Sequence, residues 1–276
     1  MRSMEEIYEE LDRLIGRSRW EEIEPFLRAR MEEAKEEEQN GIYVAAGNEL
    51  LSFYRQSGQY EKAFAVSEDL LLLLEELNLE DTEHFALILM STGAACEGAE
   101  RPQEAESYYA RAVRILEGKG KSELLLAEAL TRQGILLVAR SREAAEKEKL
   151  RQKAKRLLLQ AEALFEECRK RRKASGGNSE GDSCTRQEED GQEEVYYLTA
   201  LSGLGEICWC EKDYEGALAF YEKAGQNSRS FSGESEGTRL FWNNCAAVCA
   251  VLKDPEKEAY YRTLAGEHAQ DAGRRK

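Results

Sequence analysis

One spacing of small and aromatic residues recurs along this chain and restricts the folds it can adopt. A small residue is followed by an alanine twelve positions later, an aromatic residue four positions after that, and another alanine three positions further on. The clearest copies are Gly93, Ala105, Tyr109, Ala112 and Gly205, Ala217, Tyr221, Ala224; weaker copies are Leu51, Ala63, Ser67, Leu70 and Ala247, Ala259, Thr263, Gly266. Small residues at fixed positions let two helices approach closely, and a short hairpin buries its apolar face only against neighbouring hairpins. The spacing therefore predicts a series of stacked helix hairpins.

The turns expected within these hairpins agree with the spacing. The segments at 58–61 (Gly-Gln-Tyr-Glu) and 212–215 (Lys-Asp-Tyr-Glu) interrupt the apolar periodicity where a short inter-helix turn is needed. Pro102 and Pro255 are expected to begin second helices, because a missing N–H costs little in the first turn.

The repeat resembles the tetratricopeptide repeat (TPR) family. Its best-matched segment covers residues 198–227, the segment 86–117 is nearly as good, and the resemblance extends over about 44–270. The family positions in the best segment are held by Leu201, Leu204, Gly205, Tyr214, Ala217, Tyr221 and Ala224. The resemblance implies an all-α, right-handed superhelical solenoid of about five to six stacked antiparallel hairpins. It also implies that the first helices line a concave groove holding a peptide or a partner helix.

We expect one continuous domain over residues 1–276. Its expected parts are a degenerate N-terminal hairpin (1–40), repeats at 44–77, 86–119, 127–173 and 198–231, and a C-terminal repeat or cap (240–272). After Gly134 the next matching alanine is Ala154, eight residues later than the spacing requires, so the helices of the 127–173 repeat are predicted to be lengthened. The Gly/Ser/Glu-rich stretch 174–194 is predicted to be a disordered loop.

Charge is unevenly distributed along the sequence. The chain carries −15 overall, whereas residues 140–173 contain thirteen Lys/Arg and six Asp/Glu, a net +7. This basic segment could support weak self-association against the acidic remainder, although an exposed helix with mixed charge is the simpler interpretation. The acidic total disfavours nucleic-acid binding. No apolar stretch is long enough to span a membrane and the acidic start does not read as a signal peptide, so a cytoplasmic location is expected.

Catalytic and metal chemistry find little support in the sequence. The two histidines, His84 and His268, are not paired with a nucleophile, and no phosphate-binding or hydrolase motif occurs. Seven irregularly spaced cysteines argue against a disulfide framework. Of Cys208, Cys210, Cys245 and Cys249, the first two point to roughly opposite helix faces, which disfavours a zinc site. Cys184 is expected to be an exposed thiol. We therefore expect no enzyme activity and no cofactor.

The family's inward-facing positions can be transferred to each first helix to predict the lining of the groove. They are Asn48, Glu49, Ser52, Arg55, Met90, Ser91, Glu97, Glu128, Thr131, Arg132, Ser202, Glu206, Trp209 and Asn244. Within this set, Asn48 and Asn244 could bind a peptide backbone, Arg132 a carboxylate, and Trp209 an apolar side chain. For each residue the alternative is ordinary packing or a solvated helix face.

The predicted function is a non-catalytic protein–protein interaction scaffold whose groove binds a peptide or helix of another protein. The alternative is a regulatory module that responds to a short peptide ligand. Capture of a chaperone C-terminal tail is disfavoured, because only Arg132 matches the Lys, Asn and Arg residues that such groove positions require.

Overall fold

The computed structural model describes residues 4–118, 120–143, 145–174 and 183–266. Over these ranges the chain forms twelve α-helices and no strand. They are α1 (Met4–Gly16), α2 (Trp20–Glu36), α3 (Asn40–Gln56), α4 (Tyr60–Glu76), α5 (Glu83–Gly98), α6 (Pro102–Leu116), α7 (Glu123–Ser141), α8 (Lys147–Ala174), α9 (Ser183–Glu211), α10 (Tyr214–Ser232), α11 (Glu236–Leu252) and α12 (Pro255–Leu264). In the described part of the chain, no helix is both long and apolar enough to cross a bilayer.

The helices pair into antiparallel hairpins, and the hairpins group into two compact units. Unit 1 spans Met1–Lys121 and holds the hairpins α1/α2, α3/α4 and α5/α6; unit 2 spans Ser122–Lys276 and holds α7/α8, α9/α10 and α11/α12. The repeat spacing predicts one continuous domain, whereas the structure divides the chain between α6 and α7. The segment joining these helices contains Gly118 and Gly120, and Gly120 has a φ of +77° that ends helical geometry.

The predicted close approach of the helices is confirmed within individual hairpins. A Cβ atom added to Gly93 would lie 2.7 Å from Cε1 of Tyr109, and one added to Gly205 would lie 2.6 Å from Cε1 of Tyr221. Real Cβ atoms do not approach so closely, so only glycine lets each tyrosine lie flat against the facing helix.

The eight-residue shift predicted for the repeat at 127–173 is also confirmed by a close approach of its two helices. A Cβ atom at Gly134 would lie 2.6 Å from Cδ2 of Leu158, the residue that follows Ala154 by four positions. Ala154, Leu158 and Ala161 are all fully buried. The extra residues lengthen both helices of this hairpin, to 19 residues in α7 and 28 in α8.

Five of the six hairpins share one turn geometry. A residue with positive φ stands two positions before each second helix, at Ser18, Gly58, Glu100, Lys212 and Lys253. In each turn, the N–H of the next residue bonds a carbonyl in the last turn of the first helix, as in Gln59 to Tyr54 (2.8 Å) and Asp213 to Cys208 (2.9 Å). This is the Schellman arrangement, in which a left-handed residue satisfies carbonyls at the end of a helix. Pro102 and Pro255 begin α6 and α12, as predicted.

The register assigned to the last repeat is wrong. Ala247, Ala259, Thr263 and Gly266 are exposed. The buried face instead holds Trp242, Cys245, Ala246 and Cys249 of α11 against Tyr261 of α12 and Ala265, which directly follows α12. Ala246 and Ala247 are both small enough for the inward position of the repeat. The rings of Trp242 and Tyr261, stacked 6.0 Å apart, place Ala246 on the buried face.

The loop predicted at 174–194 is wrong at Ala174, which ends α8, and for residues 183–194, which belong to α9; residues 175–182 lie outside the described residues. Arg169 of α8 bonds Glu193 (3.1 Å) and Glu194 of α9, and its guanidinium lies 3.9 Å from the ring centre of Tyr197. Arg172 also pairs with Glu193. These contacts join α8 to α9 where the composition alone favours disorder.

Candidate functional site

The first helices of unit 1 form a layer in which α3 contacts both α1 and α5. An apolar cavity of about 270 Å³ opens where α3 and α5 begin and α4 ends. It is lined by Tyr8 of α1; Asn40, Gly41, Val44, Ala45 and Asn48 of α3; Leu74, Leu77 and Leu79 of α4 and the segment after it; and His84, Leu87 and Ile88 of α5. We call this the unit 1 cavity. Leu77 and Leu87 are large apolar side chains left more than one third exposed at its wall.

Asn48 is a polar side chain of this cavity that a hydrogen bond holds in place and that keeps spare hydrogen-bonding capacity. Its Oδ1 accepts a hydrogen bond from the Ser91 hydroxyl (2.8 Å), which fixes the amide between α3 and α5. Its NH₂ group has no acceptor among the described residues. The anchored amide can therefore donate to a carbonyl oxygen of a bound chain.

Glu49 follows Asn48 on α3 and is half-buried. It has neither a hydrogen-bond partner nor an ion-pair partner in the described part of the chain. Burial raises the pKa of Glu49, and its charge in turn contributes to a raised pKa of Tyr8, after the larger effect of burial. Glu49 is thus close enough to the cavity-lining Tyr8 to act on it electrostatically.

The other predicted groove residues of unit 1 divide into two kinds. Ser52, Arg55 and Ser91 are half-buried, and Glu97 is exposed and accepts a hydrogen bond from the Tyr109 hydroxyl of its own hairpin. Met90 is 2% exposed. The Met90 side chain therefore belongs to the core and offers no accessible surface.

In unit 2, the first-helix side chains are largely paired with one another. The Arg132 guanidinium bonds Glu128 (2.9 Å) and the Tyr196 hydroxyl, and lies 5.0 Å from the Tyr196 ring centre. Gln192 donates to the same Glu128 (3.4 Å). The sequence predicted that Arg132 could bind a carboxylate of a ligand. In the structure, Arg132 already binds the carboxylate of Glu128 on its own helix.

A second ion pair joins the end of α7 to α9. Arg142 binds Glu206 through both Nε (3.0 Å) and Nη2 (2.8 and 2.9 Å). Trp209 is 37% exposed and packs edge-on against Tyr214, with ring centres 5.4 Å apart. Thr131 is buried and bonds the Ala127 carbonyl.

The two remaining predicted residues of unit 2, Ser202 and Asn244, are half-buried.

The cysteines are free thiols and form no metal-binding group within the described residues. Cys208 is buried and Cys210 exposed, as expected for residues on opposite faces of α9. Burial raises the pKa of both Cys96 and Cys208 to about 11, so these thiols stay protonated at neutral pH. The Cys184 side chain and His268 lie outside the described residues.

Sequence reasoning missed most of the wall of the unit 1 cavity. Leu77 and Leu79 follow the last helical position of α4, and Tyr8 belongs to the degenerate hairpin, so none of them occupies an inward-facing family position. One sequence feature could have indicated the cavity. The apolar run Leu70–Leu74 continues into Leu77 and Leu79, and this run is longer than a single buried helix face requires.

These hairpins define a TPR-like helical repeat fold. Among solved structures, the chain is similar to BtubC (BKLC) from P. vanneervenii, with a TM-score of 0.68 and 16% identity over 93% of both chains. It is also similar to the TPR-like repeats of a putative kinesin light chain from Podosopora anserina, with a TM-score of 0.57 and 14% identity over 84% of this chain and 97% of the other. At such identities the likeness shows the fold and does not transfer a function. No protein-family model and no curated protein matches this sequence.

Proposed function

We propose that this chain is a non-catalytic protein-interaction scaffold that binds a peptide segment of another protein on the first-helix face of unit 1. The observation that carries the proposal is the unit 1 cavity, which is apolar and rimmed by the exposed side chains of Leu77 and Leu87. Apolar anchors seated in such pockets supply most of the affinity of a peptide complex.

The cavity is large enough for one anchoring side chain. Its volume of about 270 Å³ is close to the lower end of the range of roughly 300–1,000 Å³ that is typical of small-molecule sites. Asn48 adds a directional contact, since its unpaired NH₂ group can bind the backbone beside the anchor. An apolar pocket with one fixed polar group suits a short segment of protein chain.

The proposal uses only some of the groove residues that the sequence predicts. It keeps Asn48 and Glu49, and it leaves out the buried Met90 and Thr131. It also leaves out Arg132 and Glu206, because breaking an existing ion pair would oppose binding. Self-association through the segment 140–173 is not part of the proposal, since arginines at its end are paired with α9 and α7 of the same unit.

A displayed library of random twelve-residue peptides, sorted for binding to the whole chain, tests this proposal. We expect the selected peptides to share an apolar residue and to bind at least tenfold more weakly to Leu87→Glu, which places a charge in the cavity wall. Leu159→Glu is the matched control, because Leu159 is similarly exposed (41% against 36%) on α8 of unit 2.

A second wall variant, Leu77→Glu, keeps the test valid if Leu87→Glu fails to fold. Circular dichroism melts show whether each variant is folded. Peptides that bind both wall variants as well as they bind the unaltered chain would contradict the proposal. A library without binders would do the same.

A further inference from the structure

The unit 1 cavity indicates that a bound peptide inserts an apolar side chain, but it does not indicate the charge of that peptide. The residue that bears on charge is Glu49, a half-buried carboxylate with no partner in the described residues. Buried carboxylates in folded proteins are ordinarily paired, because an isolated charge loses its hydration without compensation. A carboxylate left in this state beside an open apolar site is suited to a cation that arrives with a ligand.

Building on the proposed function, we propose that the bound segment carries a lysine or arginine next to its apolar anchor and that this cation pairs with Glu49. The partner is thus a basic, amphipathic peptide segment of another protein.

The position of Glu49 sets the spacing between the two groups. Ala45 lines the cavity and stands four residues before Glu49 on α3, so the two lie about 6 Å apart along the same helix face. A partner helix would bring a cation to this distance three or four residues from its anchor. An extended segment would do so two residues from its anchor, where side chains return to the same face.

Among the described residues, no basic side chain pairs with Glu49. Arg55 is the only basic residue of α3 and stands six residues beyond Glu49, outside the three- or four-residue separation at which helical side chains meet. Glu49 is therefore available to a ligand without first giving up an internal ion pair.

The overall charge of unit 1 favours the same partner. Residues 1–121 contain 27 Asp/Glu and 14 Lys/Arg, a net of −13. Residues 122–276 contain 27 Asp/Glu and 25 Lys/Arg, a net of −2. A field of this sign around unit 1 attracts a basic segment and accelerates its association, more so at low salt.

The test sorts the same twelve-residue library against the unaltered chain, Glu49→Gln and the control Glu68→Gln. Glu68 is an exposed residue in the middle of α4, so its substitution removes the same charge from unit 1 away from the cavity. We expect Lys or Arg to be enriched within four positions of the apolar anchor for the unaltered chain and for Glu68→Gln. For Glu49→Gln the apolar preference should remain while the basic preference disappears.

A double-mutant cycle then measures the contact directly. In one selected peptide the basic residue is replaced by glutamine, and we expect affinity for the unaltered chain to fall about five- to tenfold, with little change for Glu49→Gln. Equal losses for both proteins would overturn the inference, as would selected peptides without basic enrichment. Either result would leave the proposed function intact provided Leu87→Glu still weakens binding at least tenfold, so the two failures are distinguishable.

Discussion

The two units contain the same hairpin but present different first-helix faces. In unit 1 the face opens into an apolar cavity beside an unpaired carboxylate, Glu49. In unit 2 the corresponding side chains bind one another, as Arg132 does with Glu128 and Tyr196 and as Arg142 does with Glu206. The repeat pattern specifies the backbone of a hairpin, and long-range pairing decides whether its inward face remains available to a ligand.

The first prediction tests how strongly internal ion pairs hold unit 2 together. Arg169→Met should lower the free energy of unfolding by about 3 kcal/mol, because the buried Glu194 loses its cation and the buried Glu193 keeps only Arg172. Lys170→Met is the matched control, since Lys170 is 78% exposed and pairs only loosely with Glu166 (3.6 Å). Urea denaturation followed by circular dichroism measures both. Equal, small losses would show that the α8–α9 ion pairs do not stabilise unit 2.

The second prediction tests what the two units share. Gly93→Ala in unit 1 and Gly205→Ala in unit 2 should each destabilise the chain by about 1–3 kcal/mol, because the new methyl group overlaps a buried tyrosine ring. In Gly237→Ala, the control, the nearest atom would lie 3.8 Å away, and the better helix propensity of alanine should raise stability slightly. Thermal melts compare the three variants. A large effect at only one of the two hairpin glycines would contradict a common hairpin.

The third prediction tests whether the polar face of unit 2 is structural. Arg132→Met should cost about 1–2 kcal/mol of stability, because Glu128 and Tyr196 lose a charged hydrogen-bonding partner. The affinity for library-selected peptides should stay unchanged. Isothermal titration calorimetry and urea denaturation give the two quantities separately. Lost affinity with unchanged stability would instead assign ligand binding to Arg132.

The fourth prediction has the smallest effect and concerns Glu49 in the absence of ligand. Because burial raises its pKa, Glu49 favours the folded state when protonated, and this contribution is lost as the pH rises through the folded-state pKa. Glu49→Gln should therefore be slightly more stable than the unaltered chain at pH 7. The difference should shrink as the pH falls through the raised folded-state pKa and should vanish below the ordinary value of 4.5. Thermal melts between pH 4 and 7 on both proteins test this, and a less stable variant at pH 7 would reveal an internal partner for Glu49.

The sequence predicted the hairpins well because their packing depends on local spacing. The pairing of Gly93 with Tyr109 and the eight-residue shift at Ala154 both followed from counting positions. The helical conformation at Glu193 and Glu194 could not be predicted in this way, because their ion pairs with Arg169 and Arg172 come from another helix.

The availability of the groove residues was equally hidden from the sequence. Arg142 and Glu206 are 64 positions apart, and no spacing rule indicates that they bind each other. The unit 1 cavity depends on Leu77 and Leu79, which lie beyond the last residue of α4 and outside the helical pattern. Tertiary structure, rather than residue type, therefore decided which of the predicted residues could meet a ligand.

The most direct test of the account is hydrogen–deuterium exchange of the whole chain with and without a library-selected peptide. The account predicts slower amide exchange on binding in α1, α3 and α5, with exchange in α7, α9 and α11 unchanged. Protection confined to the first helices of unit 2 would contradict it.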